Sequence, residues 1–365
     1  MTKKEKKDVF NFYSSDDQEK KDSTKIVLIT GGAGFIGSNF IRYLMKQYPE
    51  YKIINFDKLT YAGNLNNLTL IEEDPNYVFL KGDAANPEDV KNVFEQFSPN
   101  FVVHFAAESH VDRSILNPDI FLQTNVLGTQ ILLSYSREYN VERFIQISTD
   151  EVYGSMEKNI SCNEYAKLAP NNPYAASKAS ADLLIRVAHQ TYGQKVNIIR
   201  ACNNYGPYQF PEKLIPVIIY NALNNKELPI FGDGTNIRNW MHVDDHCRAI
   251  DLVLHKGRSG EIYNVGADNE WENIKLVKHI LKELKLPDDL IQFVIDRKGH
   301  DFRYSLDSSK IKQELGWKTT IDFKDGIKQV IDWYKSHLDW IEEIQSGEYM
   351  KYFERVYKER IVEQD

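Results

Sequence analysis

Short apolar runs alternate with longer amphipathic stretches along the first part of the chain. Residues 25–30 form an apolar run that ends in glycines, which is typical of a buried parallel strand. The next stretch has the pattern of a helix. Further strands are predicted at 52–57, 77–80, 101–105, 143–147 and 196–200, and helices at 35–47, 88–97, 123–139 and 174–192. This alternation predicts an α/β fold with a Rossmann-like, doubly wound parallel sheet.

The alternation breaks beyond about residue 205, where Pro207, Pro211 and Pro216 interrupt the pattern. We therefore expect three parts: a polar flexible extension at 1–24, a Rossmann domain at 25–204, and a smaller mixed α/β lobe for binding substrate at 205–365. The short apolar segment at 262–265 is expected to return to the main sheet. The two lobes would then be interleaved along the chain.

Composition narrows the class of protein. The chain has 365 residues, 42% of them hydrophobic, so a full core can be buried. A net charge of −8 without a long basic block argues against nucleic-acid binding. The sequence contains no run of about 18 apolar residues, so no membrane span is expected. Residues 1–24 lack the apolar segment of a secretory signal. The three cysteines show no disulfide or metal spacing, which favours reduced thiols in the cytoplasm and no bound metal.

A glycine-rich turn separates the first predicted strand from the first helix. Gly31, Gly34 and Gly37 read as G-x-x-G-x-x-G, and counting from Gly32 also gives G-x-G-x-x-G, so spacing alone does not choose a subfamily. Glycine lets backbone N–H groups approach a pyrophosphate, and the start of a helix adds a partial positive charge. The turn therefore predicts a dinucleotide site that includes the first helical residues, Phe35 and Ile36.

An acidic residue closes the second strand. Asp57 lies 20 positions after Gly37, where a carboxylate can accept hydrogen bonds from ribose hydroxyls and repel a 2′-phosphate. This favours NAD over NADP. The remaining predicted cofactor residues follow the strands or adjoin this acid: Lys58, Asp83, Ala84, Ala106 and Ala107.

Two motifs carry candidate chemistry. Tyr174 and Lys178 are four residues apart and share one face of a predicted helix, where the ammonium can stabilise a phenolate. Asp150 and Glu151 follow the fifth strand, at the sheet edge where parallel sheets bind ligands. Neighbours in an extended segment point different ways, so one carboxyl can act as acid while the other acts as base.

The chain resembles the extended short-chain dehydrogenase/reductase superfamily, and within it the nucleotide-sugar 4,6-dehydratases, most closely the dTDP-glucose 4,6-dehydratase family. The resemblance runs from about residue 25 to 357. It depends on the glycine turn, the Tyr-x-x-x-Lys pair and the Thr149-Asp150-Glu151 triplet, which related epimerases usually lack. Further matching segments are 106–114, 203–208, 212–216, 238–240 and 299–304.

The resemblance implies a hydro-lyase reaction with bound NAD. Tyr174 would remove the C4 hydroxyl proton as hydride passes to NAD, and Thr149 would bond the C4 oxygen. Glu151 would take the C5 proton, and Asp150 would protonate the departing C6 hydroxyl. Return of hydride to C6 would give the 4-keto-6-deoxy sugar, as in deoxysugar biosynthesis.

The resemblance also implies where the nucleotide-sugar binds, and that two subunits pair through the helices at 123–139 and 174–192. Asn204 would contact the cofactor. The substrate residues implied by the resemblance are Ser109, His110, Thr149, Asn203, Lys213, Leu214, Pro216, Pro229, Phe231, Arg238, Asn273, Arg297 and His300.

Other functions stay open at the level of sequence. The substrate alternative is UDP-N-acetylglucosamine, with either a 4,6-dehydratase product or a 5,6-ene. A C4 epimerase or decarboxylase, or an inactive NAD-binding protein, could use the same scaffold. Lys298, Phe302 and Cys202 depart from common family residues, which leaves the nucleotide and the sugar substituent undecided.

Overall fold

The computed structural model describes residues 24–345, so the predicted extension lies outside the described residues apart from Thr24. A parallel seven-stranded sheet in the order β3-β2-β1-β4-β5-β6-β10 forms its centre. Its strands are β1 (Ile26–Thr30), β2 (Lys52–Asp57), β3 (Tyr77–Lys81), β4 (Phe101–His104), β5 (Arg143–Thr149), β6 (Val196–Ala201) and β10 (Ile262–Val265). The strand order reverses beside β1, as in a Rossmann fold, so the predicted fold class is confirmed.

Helices cover both faces of this sheet because successive strand residues point to opposite sides. Val27 and Ile29 pack in one apolar layer, and Leu28 packs in the other. The helices that flank the sheet or connect its strands are α1 (Phe35–Gln47), α2 (Pro87–Phe97), α3 (Val111–Leu116), α4 (Pro118–Phe121), α5 (Gly128–Glu138), α6 (Pro173–Tyr192), α8 (Val243–Lys256) and α10 (Ser309–Leu315). α1 and α8 contribute to the first layer, and α2, α5 and α6 to the second.

A second apolar core, which includes Trp240, lies in the smaller lobe. Its elements are β7 (Asn203–Tyr205), α7 (Leu214–Leu223), β8 (Leu228–Phe231), β9 (Ile237–His242), β11 (Glu270–Glu272), α9 (Asn273–Leu284), β12 (Ile291–Val294), α11 (Phe323–Ser336) and α12 (Leu338–Gln345). β10 leaves this stretch of sequence and pairs with β6, as predicted for residues 262–265. The chain therefore crosses between the lobes more than once.

The predicted helix at 123–139 is the clearest local difference. The structure has a π-helical segment, Leu122–Leu127, before α5 begins at Gly128. The Thr129 hydroxyl donates to the Asn125 carbonyl at 2.7 Å, and the Asn125 side chain bonds the backbone of Glu108. These side-chain bonds help to hold the π-helical segment, which is wound more loosely than an α-helix.

Short 3-10 turns occur at Leu65–Leu68, Asp150–Tyr153 and Asp288–Leu290. The second of these replaces the extended segment predicted after the fifth strand. Among the described residues, no helix combines the length and apolarity that crossing a bilayer requires.

Candidate active site

A cavity of about 410 Å³ opens where the carboxyl ends of the sheet strands meet the smaller lobe. Loops after β1, β2, β3, β4, β5 and β6 all reach it. Its size is that of a small-molecule binding site. The predicted residues that line it are Gly31, Gly34, Phe35, Ile36, Gly37, Asp57, Lys58, Asp83, Ala84, Ala106, Ala107, Ser109, His110, Thr149, Glu151, Tyr174, Lys178, Asn203, Asn204, Lys213, Leu214, Pro229, Phe231, Arg238, Asn273, Arg297 and His300.

Two predicted residues do not line this cavity. Pro216 is buried in the first turn of α7, away from the wall formed by Lys213 and Leu214. Asp150 is buried directly behind the wall residues Thr149 and Glu151. A one-residue step along a tight turn changes the direction of a side chain, which sequence spacing alone cannot resolve.

The glycine turn brings backbone close to the cavity. Gly31 has φ +71°, and its N–H donates to the Phe56 carbonyl at 2.9 Å. A Cβ on Gly31 would lie 2.5 Å from the Ala106 nitrogen, so no larger residue fits without moving the chain. α1 begins after Gly34 without a side-chain cap, which leaves its first N–H groups available to an anionic group. This cradle fits a pyrophosphate.

Asp57 is held by two backbone donors. Its carboxylate accepts from the Ala33 N–H at 2.9 Å and from the Leu59 N–H at 2.8 Å. Burial raises the pKa of this carboxyl, and both hydrogen bonds oppose that rise. Each oxygen keeps a further lone pair, so the group can still accept from ribose hydroxyls. Beside it, Lys58 pairs with Asp83 at 2.7 Å.

Tyr174 and Lys178 lie in the first two turns of α6 and are both buried. The Lys178 ammonium donates to the Ile147 carbonyl at 2.6 Å, and burial lowers its pKa to about 8. Burial, followed by the charges of Glu151 and Asp150, raises the pKa of Tyr174 above its ordinary value, while a hydrogen bond with Thr149 lowers it. A phenolate at Tyr174 therefore requires added positive charge in the cavity, and its formation stays a prediction.

Thr149 joins the two chemical motifs. Its hydroxyl caps the 3-10 turn by accepting from the Glu151 N–H at 3.3 Å, and donates to an Asp150 oxygen at 3.2 Å. Burial and then the neighbouring charge of Glu151 raise the pKa of Asp150 to about 8. The other Asp150 oxygen is buried without a partner among the described residues. Asp150 is thus suited to carry a proton at neutral pH.

Glu151 has a more polar environment than Asp150. Its carboxylate accepts from the Asn172 side chain at 3.4 Å and lies 3.5 Å from the Tyr304 hydroxyl. The shorter bond of that hydroxyl, 2.8 Å, goes to Asp301. The two adjacent carboxyls therefore differ in solvation and partners, which is the condition for separate acid and base roles.

Basic side chains gather at the smaller-lobe end of the cavity. The Arg238 guanidinium donates to the carbonyls of Asp301 and Phe302 and stacks on the Tyr304 ring, 4.3 Å from its centroid. Arg297 pairs with Asp112 at 3.6 Å. Together with Lys213 these side chains make that end of the cavity favourable for an anion.

Several buried polar atoms of the cavity wall lack hydrogen-bond partners within the described part of the chain. They are Asn203 Oδ1, Glu212 Oε2, His246 Nε2, Asn273 Oδ1 and Arg297 Nε. Leaving such atoms unpaired costs free energy, so their presence around one cavity indicates a polar ligand. No group of His, Cys, Asp or Glu suited to a metal ion occurs in residues 24–345.

The wall residues to which the sequence prediction assigned no role include Cys202, Glu212 and His246. Glu212 precedes Lys213, and Cys202 precedes Asn203, so proximity to predicted residues was the available signal. His246 lies in α8, far along the chain from the motifs. Nothing in the local sequence pattern indicates that this helix reaches the cavity.

Parallel sheets of this order support many kinds of chemistry, so the site must decide the class. Tyr174 and Lys178 lie one helical turn apart and line the same cavity as the glycine turn, which leaves room for a pyrophosphate. This combination assigns the chain to the extended short-chain dehydrogenases/reductases.

Within that class the chain belongs to the GDP-mannose 4,6 dehydratase family, whose model matches residues 28–330. The chain is 43% identical over 359 residues to dTDP-glucose 4,6-dehydratase of Salmonella typhimurium, covering 92% of this chain and 99% of the relative. It is 45% identical over 340 residues to that of Xanthomonas campestris, covering 88% and 96%. The family prediction from sequence is confirmed.

Solved structures agree with this placement. DesIV, a dTDP-glucose 4,6-dehydratase from Streptomyces venezuelae crystallised with NAD and TYD, is 48% identical with a TM-score of 0.85, covering 87% of this chain and 99% of DesIV. A UDP-glucose 4-epimerase from Thermotoga maritima has a TM-score of 0.80 at 30% identity, covering 86% and 99%. Dehydratase and epimerase thus share the fold, and residues at the site must separate them.

Proposed function

We propose that the chain is an NAD-dependent dTDP-glucose 4,6-dehydratase, a hydro-lyase that forms the 4-keto-6-deoxy sugar. One observation carries this proposal: Glu151 and Tyr174 line one cavity, with Asp150 buried behind its wall, in a chain 43% identical to a dTDP-glucose 4,6-dehydratase. An epimerase needs the phenol, whereas elimination of water also needs an acid and a base.

Bound NAD would accept a hydride from C4 of the sugar and return it to C6. The glycine turn would hold the pyrophosphate of NAD, and Asp57 would bond its adenosine ribose. The backbone around Ala106 and Ala107 passes beside Gly31, within the same cavity. The solved relatives with NAD bound support this choice of cofactor.

Tyr174 would begin the reaction by taking the proton of the C4 hydroxyl. The cation of the oxidised nicotinamide and the Lys178 ammonium would supply the positive charge that the buried phenol lacks. Thr149 would hold the C4 oxygen beside the phenol. A 4-ketone then makes the C5 proton acidic, because the carbanion left behind is stabilised as an enolate.

Elimination would use the two adjacent carboxyls in different protonation states. Glu151 would take the C5 proton, and Asp150 would donate its proton to the departing C6 hydroxyl, which leaves as water. The raised pKa of Asp150 supports the acid role, since that proton is retained up to about pH 8. To donate this proton, Asp150 would have to reach the substrate from behind the wall residues Thr149 and Glu151, by a shift of the 3-10 turn.

The nucleotide of the substrate would occupy the end of the cavity that the smaller lobe forms. Arg238 and Arg297 would meet its diphosphate, with Asn273 and His300 beside them. Ser109, His110 and Asn203 would contact the sugar or the phosphate, and Lys213, Leu214, Pro229 and Phe231 would line the rest of the nucleotide pocket. The basic charge at this end and the unpaired Asn203, Asn273 and Arg297 atoms support this arrangement.

A mass measurement tests the proposal. The purified chain with dTDP-glucose should yield a product lighter by one water, with NAD regenerated in each turnover. UDP-N-acetylglucosamine should react much more slowly, and UDP-glucose serves as the control for the base. Unchanged mass with all three donors would rule out a dehydratase, and preference for UDP-N-acetylglucosamine would reassign the substrate.

We also propose a homodimer in the cytoplasm. Exposed apolar side chains lie along α6 and along the segment before α5. Leu183 is 53% exposed, Val187 47%, Leu122 53% and Leu127 49%. A second copy could cover these helices in a four-helix contact. The three free cysteines support a reducing compartment.

A further inference from the structure

His246 is a wall residue of the cavity to which the proposed reaction gives no role. It lies in α8 and is fully buried, yet one of its ring nitrogens has no partner in the described part of the chain. A fully buried acceptor without a donor is expected to cost about 1–3 kcal/mol. Such an atom at a ligand cavity calls for an explanation.

The hydrogen bonds around His246 fix which nitrogen carries the proton. The Asn204 side-chain N–H donates to the Cys202 carbonyl at 2.8 Å, so the Asn204 Oδ1 is the end that faces His246. His246 Nδ1 lies 3.0 Å from that oxygen and must therefore be the N–H donor. Burial lowers the pKa of the imidazole to about 3, so the ring is neutral. Nε2 is then an acceptor.

His246 lies on the cofactor side of the cavity. α8 and α1 pack in the same apolar layer beneath the sheet, and α1 begins at the glycine turn. Asn39 of α1 donates to the Pro207 carbonyl, just after the strand that carries Asn204. The basic residues suited to a nucleotide-sugar, by contrast, come from the smaller lobe. A ligand group that reaches Nε2 is therefore expected to belong to the dinucleotide.

We infer that His246 Nε2 accepts a hydrogen bond from the carboxamide N–H of bound nicotinamide, and that Asn204 holds the imidazole in the tautomer this requires. The inference rests on the proposed function, because it takes the bound dinucleotide to be NAD. His246 would then fix the rotation of the nicotinamide ring, and so the face from which hydride leaves. It is a positioning residue and takes no proton during the reaction.

A cofactor analogue tests the bond directly. The 3-acetylpyridine analogue of NAD replaces the carboxamide with an acetyl group, which keeps the carbonyl and removes the N–H donor. The full chain, freed of cofactor, should bind this analogue on the order of tenfold more weakly than NAD by calorimetry. His246→Asn keeps a short amide that can donate to Asn204 but has no acceptor at the Nε2 position. It should bind NAD about tenfold more weakly than the wild type and no longer distinguish NAD from the analogue.

His246→Gln is the matched control, because its amide oxygen can occupy the Nε2 position. It should restore much of the preference for NAD. Equal preference for NAD in the wild type and in His246→Asn would overturn the assignment, whatever the activity of either protein. Failure of the proposed function would instead appear as no loss of water from dTDP-glucose while the binding difference remained.

A measurement on the wild type covers the case in which the variants do not fold. With ¹⁵N-labelled histidine, one unprotonated ring nitrogen should shift on addition of NAD and shift less with the analogue. A nitrogen that responds only to dTDP-glucose would show that a substrate hydroxyl is the donor, and would overturn the carboxamide assignment. A nitrogen that responds to neither ligand would overturn it as well.

Discussion

At the scale of single residues, the proposed removal of water depends on two adjacent carboxyls, Asp150 and Glu151. Asp150 is buried beside Glu151, and its pKa is raised to about 8, whereas Glu151 lies on the cavity wall with polar partners. Because Asp150 must be protonated to act as an acid, its contribution is present below about pH 8 and is lost as pH rises further. The proposed loss of the C6 hydroxyl thus depends on the burial of Asp150, which keeps its proton in place at neutral pH.

Asp150→Asn should slow loss of the C6 hydroxyl by roughly 10²- to 10⁴-fold, the usual contribution of a general acid. The rate in the wild type should fall as pH is raised through about 8, where both Asp150 and Lys178 lose their protons, whereas the variant should be slow at every pH and keep only the fall due to Lys178. Single-turnover rates of product formation across this pH range provide the measurement. A variant as fast as the wild type would exclude the acid role.

Glu151→Gln should abolish exchange of the C5 proton with solvent, because a neutral amide cannot take the proton. The first oxidation, followed by absorbance of reduced cofactor, should remain partly active. Glu157→Gln removes a nearby exposed carboxylate and serves as the control. Full turnover by Glu151→Gln would reject the base role.

At the scale of elements, the start of α6 links helix stability to the site. The Asn172 side chain caps the helix by accepting from the Ala175 N–H at 2.8 Å, and its amide also donates to Glu151. One residue therefore caps the helix that carries Tyr174 and bonds Glu151, the proposed base.

Asn172→Ala should cost about 1 kcal/mol of stability by loss of the cap and should also reduce activity. Asn172→Asp should keep the cap and the stability, but it replaces the amide that donates to Glu151 with a carboxylate that cannot donate. Exchange of the C5 proton should therefore be slower than in the wild type. Thermal unfolding and deuterium exchange at C5 measure the two effects, and an exchange rate equal to that of the wild type would show that Asn172 has only a structural role.

The pattern of apolar residues predicted most of these elements. α1 and β2 have the bounds expected from sequence, and β10 returns to the sheet. The π-helical segment at Leu122–Leu127 was not predictable, because it depends on the bonds of Asn125 to a distant loop. Likewise the buried position of Asp150 follows from a 3-10 turn, and the cavity position of His246 from packing of α8 against α1, neither of which has a local sequence signal.

At the scale of the whole molecule, the cavity needs both lobes, because the proposed cofactor residues come from the loops after the sheet strands and Lys213, Arg238 and Arg297 from the smaller lobe. α6 contributes twice: its first turns carry Tyr174, and its later turns expose Leu183 and Val187. Pairing of two copies would cover that second surface and hold the helix of the phenol in place.

Leu183→Asp combined with Val187→Asp should convert the proposed dimer to a monomer, since each copy would bury two like charges against those of the other. Leu70→Asp changes an equally apolar residue that is 68% exposed on another part of the surface, and should leave the assembly unchanged. Light scattering coupled to size-exclusion chromatography gives the mass of each variant. A wild type that is monomeric at micromolar concentration would contradict the dimer.

In the proposed reaction one cavity removes a hydrogen from C4, eliminates water, and returns the same hydrogen to C6. This transfer is followed with dTDP-glucose that carries deuterium at C4. The product should be a 4-keto-6-deoxy sugar with that deuterium at C6, and the same reaction of unlabelled substrate in heavy water should place deuterium at C5. Deuterium retained at C4, or water lost with the label released to solvent, would exclude the return of hydride within one cavity.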